Sequence, residues 1–152
     1  ENARVYGNAE VYGNAVVFGD AKVYGNARVF EDAKVFENAQ IFDDAKVSGN
    51  AKVYGNAEIS DKAAVFFGNA EVYGNAVVFE DAKVYGNARV SDNAVVNGNA
   101  RVFEDAVVNG NARVYGNAKV FENARVYGNV EEPVSQFPNE ITIDGVVYVK
   151  KV

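Results

Sequence analysis

Ala21-Lys22-Val23-Tyr24-Gly25-Asn26 is followed at once by Ala27-Arg28-Val29-Phe30-Glu31-Asp32, and the match between these two stretches decides the fold. Each unit runs small, polar, aliphatic, aromatic, then a turn pair. Read outward from here, Ala recurs every six residues from Ala3 to Ala63 and, after one inserted residue, from Ala70 to Ala124, which makes 21 units. Val or Ile stands two residues after each of these Ala, from Val5 to Val126, and only Ile41 and Ile59 depart from Val. The phase slips once, in Ala63-Ala64-Val65-Phe66-Phe67-Gly68. Keeping Val65 in register makes Phe67 an extra residue at a corner.

In Ala27-Arg28-Val29-Phe30 the residues alternate small-inward, polar-outward, aliphatic-inward, aromatic-outward, the period-two pattern of a half-buried strand of four residues. The first turn position is Gly in 13 units and Asp or Glu in 8; the second is Asn in 15, Asp in 5 and Lys62 in one. Both positions tolerate positive φ, so the chain can bend sharply there. A helix does not fit, because six is not a multiple of 3.6 and Gly with β-branched Val would punctuate every second turn. Regular turn pairs call for a chain folded upon itself rather than stacks of separate chains. Short strands joined by identical turns wind into a solenoid. Three units per coil give a triangular prism of seven coils. At about 4.8 Å per coil it is roughly 34 Å long.

The unit Val-x-x-x-Ala-x, which covers residues 3–130, resembles the bacterial transferase hexapeptide repeat. That resemblance implies a left-handed parallel β-helix, an exception to the right-handed crossover rule. It also implies parallel prisms assembled as trimers. Acyltransferases of that family use a His at a subunit interface, and its metal-dependent hydratases use His ligands; this chain has no His. It departs further by placing Tyr or Phe after the aliphatic residue, where the family often has Gly, Ala, Asp or Glu. Phe67 is the only insertion, so the loops that shape substrate pockets in such enzymes are missing from the repeat.

The end of the chain is of another kind. Val130 takes an Ala slot, and Glu131-Glu132-Pro133 and Phe137-Pro138 break the repeat. Two regions are expected: the repeat over 1–130, and a linker with a hairpin cap over 131–152. Ile141-Thr142-Ile143, Asp144-Gly145 and Val146-Val147-Tyr148-Val149 read as a two-residue β-hairpin. Its expected task is to cover the exposed edge of the last coil. No corresponding cap is expected ahead of Ala3, so the first coil reads as open.

The 152 residues contain no His, Cys, Met or Trp. Disulfides, thiolate nucleophiles and Cys-ligated metals are excluded, and the commonest general base is missing. Neither a cofactor nor a metal is expected. Fifteen Lys and Arg against 21 Asp and Glu give a net charge of −6, which argues against nucleic acid as a partner. No apolar run is long enough for a membrane span. Asp43-Asp44, Asp61-Lys62 and Glu80-Asp81 place acids on three successive coils of one corner, a locus of the kind hard cations take, with Lys62 counting against it. Such corners are too wet for carboxylate acid–base work. The single Thr, Thr142, leaves no Thr rows of the kind ice-binding solenoids use.

Threading the units three per coil sorts the outward residues into faces. The second face is the candidate interaction surface, with Tyr12, Phe30, Phe66, Tyr85, Phe103 and Phe121 in one column and Arg28, Lys46, Lys83, Arg101 and Lys119 beside them. Aromatic side chains fill 16 of the 21 outward aromatic slots. Ladder packing under Lys and Arg stems accounts for such columns as readily as a partner does. Twelve Lys or Arg occupy the outward strand column against three Glu, whereas the turns hold 13 acids and Lys62. Basic walls and acidic corners suit lateral contact between prisms.

The residues therefore point to a non-catalytic structural or assembly element that self-associates as trimers or filaments. Suitable settings are a fibre, spike or filament at a cell surface, in an extracellular array or on a phage particle. The competing class is a binding module that presents the Tyr/Lys/Arg wall to a polysaccharide or another anionic polymer. A relative of the hexapeptide acyltransferases comes third.

Overall fold

The computed structural model describes residues 2–127 throughout, together with the backbone of the strands Asn129–Val130, Glu140–Ile143 and Val146–Val149. Every described element is a strand. The chain winds through three parallel sheets and visits each once per coil, so a strand pairs with the strand three units further on. The first sheet starts at Arg4–Val5 and has eight strands; the second starts at Glu10–Val11 and the third at Val16–Val17, with seven strands each. This is the three-sided solenoid of seven coils that the six-residue period predicts.

Coils are joined by backbone hydrogen bonds in unbroken sequence. The N–H groups of Arg4, Tyr6 and Asn8 donate to the carbonyls of Ala21, Val23 and Gly25 at 2.8–3.0 Å, and later coils repeat the pattern. The interior takes one Ala and one Val or Ile from each unit. From Ala21 to Ala118 every one of these side chains is fully buried. Each buried Val is worth about 1.5–3 kcal/mol relative to an exposed one. At the first coil the column is uncovered, with Val5 exposed and Val11 and Val17 half-buried.

Three details differ from the reading of the sequence. The strands proper span two residues per unit rather than four in all but two units, although the Ala carbonyl and the aromatic N–H on either side still join the coil-to-coil bonding. Apart from Phe67, positive φ belongs among the described residues to the first turn residue, Gly or acid, and not to the Asn that follows. With the Ala27 N–H donating to the Tyr24 carbonyl at 3.4 Å, this matches a type II′ turn. The third difference concerns Val130. It pairs with Val114, and Asn129 with Arg113, so Val130 takes a Val position in the first sheet and not the Ala slot.

The single slip is where the sequence places it. Strand Ala64–Gly68 keeps Val65 opposite Val47 and Val84, aligns Phe66 with Tyr85, then jumps so that Gly68 meets Gly86. Phe67 is left over as a β-bulge at the corner, with φ 46°. Strands Glu140–Ile143 and Val146–Val149 pair antiparallel, as expected of the hairpin. The expected turn Asp144-Gly145 and the covering of the last coil lie outside the described residues.

Candidate interaction surface

Register in the second sheet sets Glu10, Arg28, Lys46, Ala64, Lys83, Arg101 and Lys119 side by side, one per coil. Within that column Arg28, Lys46, Lys83, Arg101 and Lys119 are exposed cations, and Ala64 divides them. Arg28 Nε reaches Glu10 Oε2 at 3.3 Å. On the third sheet Glu71 serves two cations, Lys52 Nζ at 3.0 Å and Arg89 Nε at 3.8 Å. These are surface pairs, with Glu71 only 20 % exposed, and are worth ~0.2–1 kcal/mol each.

The neighbouring aromatic column divides into stacked ladders. On the second face Tyr12 stacks on Phe30, and Phe66 leads through Tyr85 and Phe103 to Phe121. The first face stacks Tyr6, Tyr24 and Phe42; the third stacks Phe18, Phe36, Tyr54 and Tyr73. Centroids are 4.8–5.2 Å apart, close to the coil spacing. Parallel rings at that separation reach carbon–carbon contact only when slid over one another, the favoured offset geometry. Tyr12 is exposed and the other rings of the predicted face are half-buried. Burial, reinforced by Tyr6, Glu58 and Asp43, pushes the Tyr24 hydroxyl pKa above its ordinary 10.0. Burial also raises that of Tyr54, helped by Glu71, Tyr73 and Glu37 and opposed by Arg89. Ser48, Ser60 and Ser91, which interrupt the columns, are buried between their neighbours.

At the corners, carboxamides form a second set of ladders. Asn8 donates to Asn26 Oδ1, and Asn26 to Asp44 Oδ1 at 3.0 Å. A longer run passes from Asn38 through Asn56 and Asn75 to Asn93 and Asn111. Asp accepts but has no N–H to pass on, so Asp32, Asp44 and Asp105 each end a run. Acids at the first turn position do different work. Glu31 Oε2 accepts the Gly49 N–H at 2.6 Å, Glu37 the Gly55 N–H at 2.8 Å, and Glu80 the Gly98 N–H at 2.6 Å. Each satisfies a turn N–H in the next coil. The corner with Asp43-Asp44, Asp61-Lys62 and Glu80-Asp81 is spent in the same way: Asp61 accepts the Glu80 N–H at 3.2 Å. Among the described residues no group of three or more acids is placed to hold a metal ion.

One feature of the surface escaped the threading of faces. A shallow polar depression of about 470 Å³ is lined by Asn14, Asp32, Lys34, Asn50, Lys52 and Asn69. It adjoins the corner of the Phe67 bulge, where the Asn50 and Asn69 amides do not bond each other as Asn69 and Asn87 do. The signal that could have found it was legible: one residue inserted in an otherwise perfect period.

A chain that returns to the same three parallel sheets on every coil around a dry column of Ala and Val is a parallel β-solenoid. Residues 3–19, 82–98 and 112–128 match the family described as YdcK Beta solenoid repeat, in agreement with the fold-level resemblance to hexapeptide repeats. Comparison with curated proteins gives no match.

Proposed function

We propose that the chain is a non-catalytic structural element, a rigid β-solenoid segment of a fibre, spike or filament that self-associates through its aromatic and basic faces or its coil ends. One observation carries this reading: on the second face stacked, partly exposed rings run beside the exposed Arg28, Lys46, Lys83, Arg101 and Lys119, and acids gather at the corners. Contiguous apolar surface rimmed by charge is the kind that marks an interaction site. Opposite signs on wall and corner select lateral contacts and penalise wall against wall. Rigidity follows from the buried column and the continuous coil-to-coil bonding. The lack of His and Cys throughout the 152 residues supports a role without catalysis.

The competing reading, a wall that stacks on sugars, has less support. A sugar stacks on a ring face, and a ring inside a ladder has neighbours on both faces. The test is negative-stain microscopy of the wild type beside an Arg101→Glu, Lys119→Glu double variant. Trimers or filaments in the wild type, dispersed in the variant, are expected; single short rods in both at high concentration would overturn the proposal.

A further inference from the structure

The geometry points to a saccharide site at the Phe67 bulge, taking one pyranose ring of an acidic oligosaccharide. Three observations meet at this corner. Phe67 is the most exposed large apolar residue described, at 67 %. Among the described residues it is also the only one with positive φ that is neither Gly nor acid. A Phe held in that region is strained, and strain of this kind gathers at functional positions. Its described ring contact is edge-on to Phe66, at 5.0 Å and 66°, whereas the laddered rings are stacked face to face. Phe67 therefore keeps a ring face for an apolar sugar face, which the rings inside the ladders do not.

The polar half of the site lies beside it. Phe67 is seated over Gly49, whose added Cβ would lie 3.1 Å from the Phe67 nitrogen. Asn50 follows Gly49 directly, Asn69 follows Phe67 by two residues, and both line the depression. Asn69 Nδ2 donates to Asn87, leaving Asn69 Oδ1 free, and the Asn50 amide makes no side-chain hydrogen bond among the described residues. A carboxamide offers a donor and an acceptor together, which matches vicinal hydroxyls. Lys34 also lines the depression, and among the described residues it has no ion pair, whereas Lys52 is held by Glu71. The depression's own carboxylate, Asp32, already accepts the Asn14 amide at 3.0 Å, and a free ammonium beside free amides selects a sugar that carries a carboxylate, a uronate.

Calorimetric titration with a galacturonate tetrasaccharide and its neutral galactose counterpart tests the assignment. Binding of the uronate is expected, at least tenfold weaker for the neutral sugar and for Lys34→Ala. Deleting Phe67 restores the six-residue period, so that variant should melt at or above the wild-type temperature and yet lose binding at least tenfold. No binding by the wild type, or binding unchanged by both variants, overturns the site. So does a Phe67 deletion that alters only the oligomer mass, since it would assign the ring to contacts between copies. A monomer can bind the sugar, so failure here leaves the assembly reading standing, and the reverse holds as well.

Discussion

At the scale of single residues, the turn positions carry opposing terms that can be separated. Glu31 holds φ 62°, a conformation that costs an L-residue about 1–2 kcal/mol. Its carboxylate recovers this by accepting the Gly49 N–H. A charge-assisted bond is worth about 1.5–3 kcal/mol, less where water competes. Glu31→Gly should therefore leave stability within about 0.5 kcal/mol, because strain and bond disappear together. Glu31→Ala keeps the strain, loses the bond, and should cost about 1–2 kcal/mol. Urea unfolding of the two variants distinguishes them, and equal losses would contradict this division. Gly68 is more constrained: φ is 86°, and an added Cβ would sit 2.5 Å from the Gly86 carbonyl oxygen. Gly68→Ala should cost at least about 2–3 kcal/mol, readable as a lowered urea midpoint, since the clash is with backbone and cannot be relieved by a rotamer change.

At the scale of elements, stability resides in ladders, and ladders can be extended. Asn97 separates Phe79 from Tyr115 on the first face and is itself only partly buried. Asn97→Phe should join the three rings and raise stability by about 1–3 kcal/mol, from two new pairs at about 0.5–1.5 kcal/mol each. A thermal melt unchanged or lowered would show that stacking adds nothing here. The tyrosines supply a pH test. Folding raises the pKa of Tyr24 and Tyr54, so the neutral phenols are favoured in the folded state. Their contribution is complete below the unfolded pKa near 10.0 and is lost as pH rises through the higher folded values. Urea midpoints should fall above pH 10 and fall less in a Tyr24→Phe, Tyr54→Phe variant. The winding itself was legible because period and turn chemistry agree in every unit, and Val65 alone located the bulge. The turn acids were not legible as hydrogen-bond acceptors, because their partners lie one coil away, some eighteen residues on. Nor did composition reveal that Ser48, in an outward slot, is buried, since its shelter comes from the adjacent coils.

At the scale of the molecule, a net charge of −6 is an average over basic walls and acidic edges, so it misdescribes what a partner meets. Prisms that dock wall to edge gain from charge at low salt and lose that gain as ions screen it, since the Debye length falls from about 10 Å at 0.1 M to about 3 Å at 1 M. The most direct measurement is molar mass by light scattering over a wide range of protein concentration, at low and at high salt. Self-association through the faces predicts a mass that climbs above the 16.4 kDa of one chain with concentration and falls back as salt is added. A mass fixed at 16.4 kDa under every condition would contradict it.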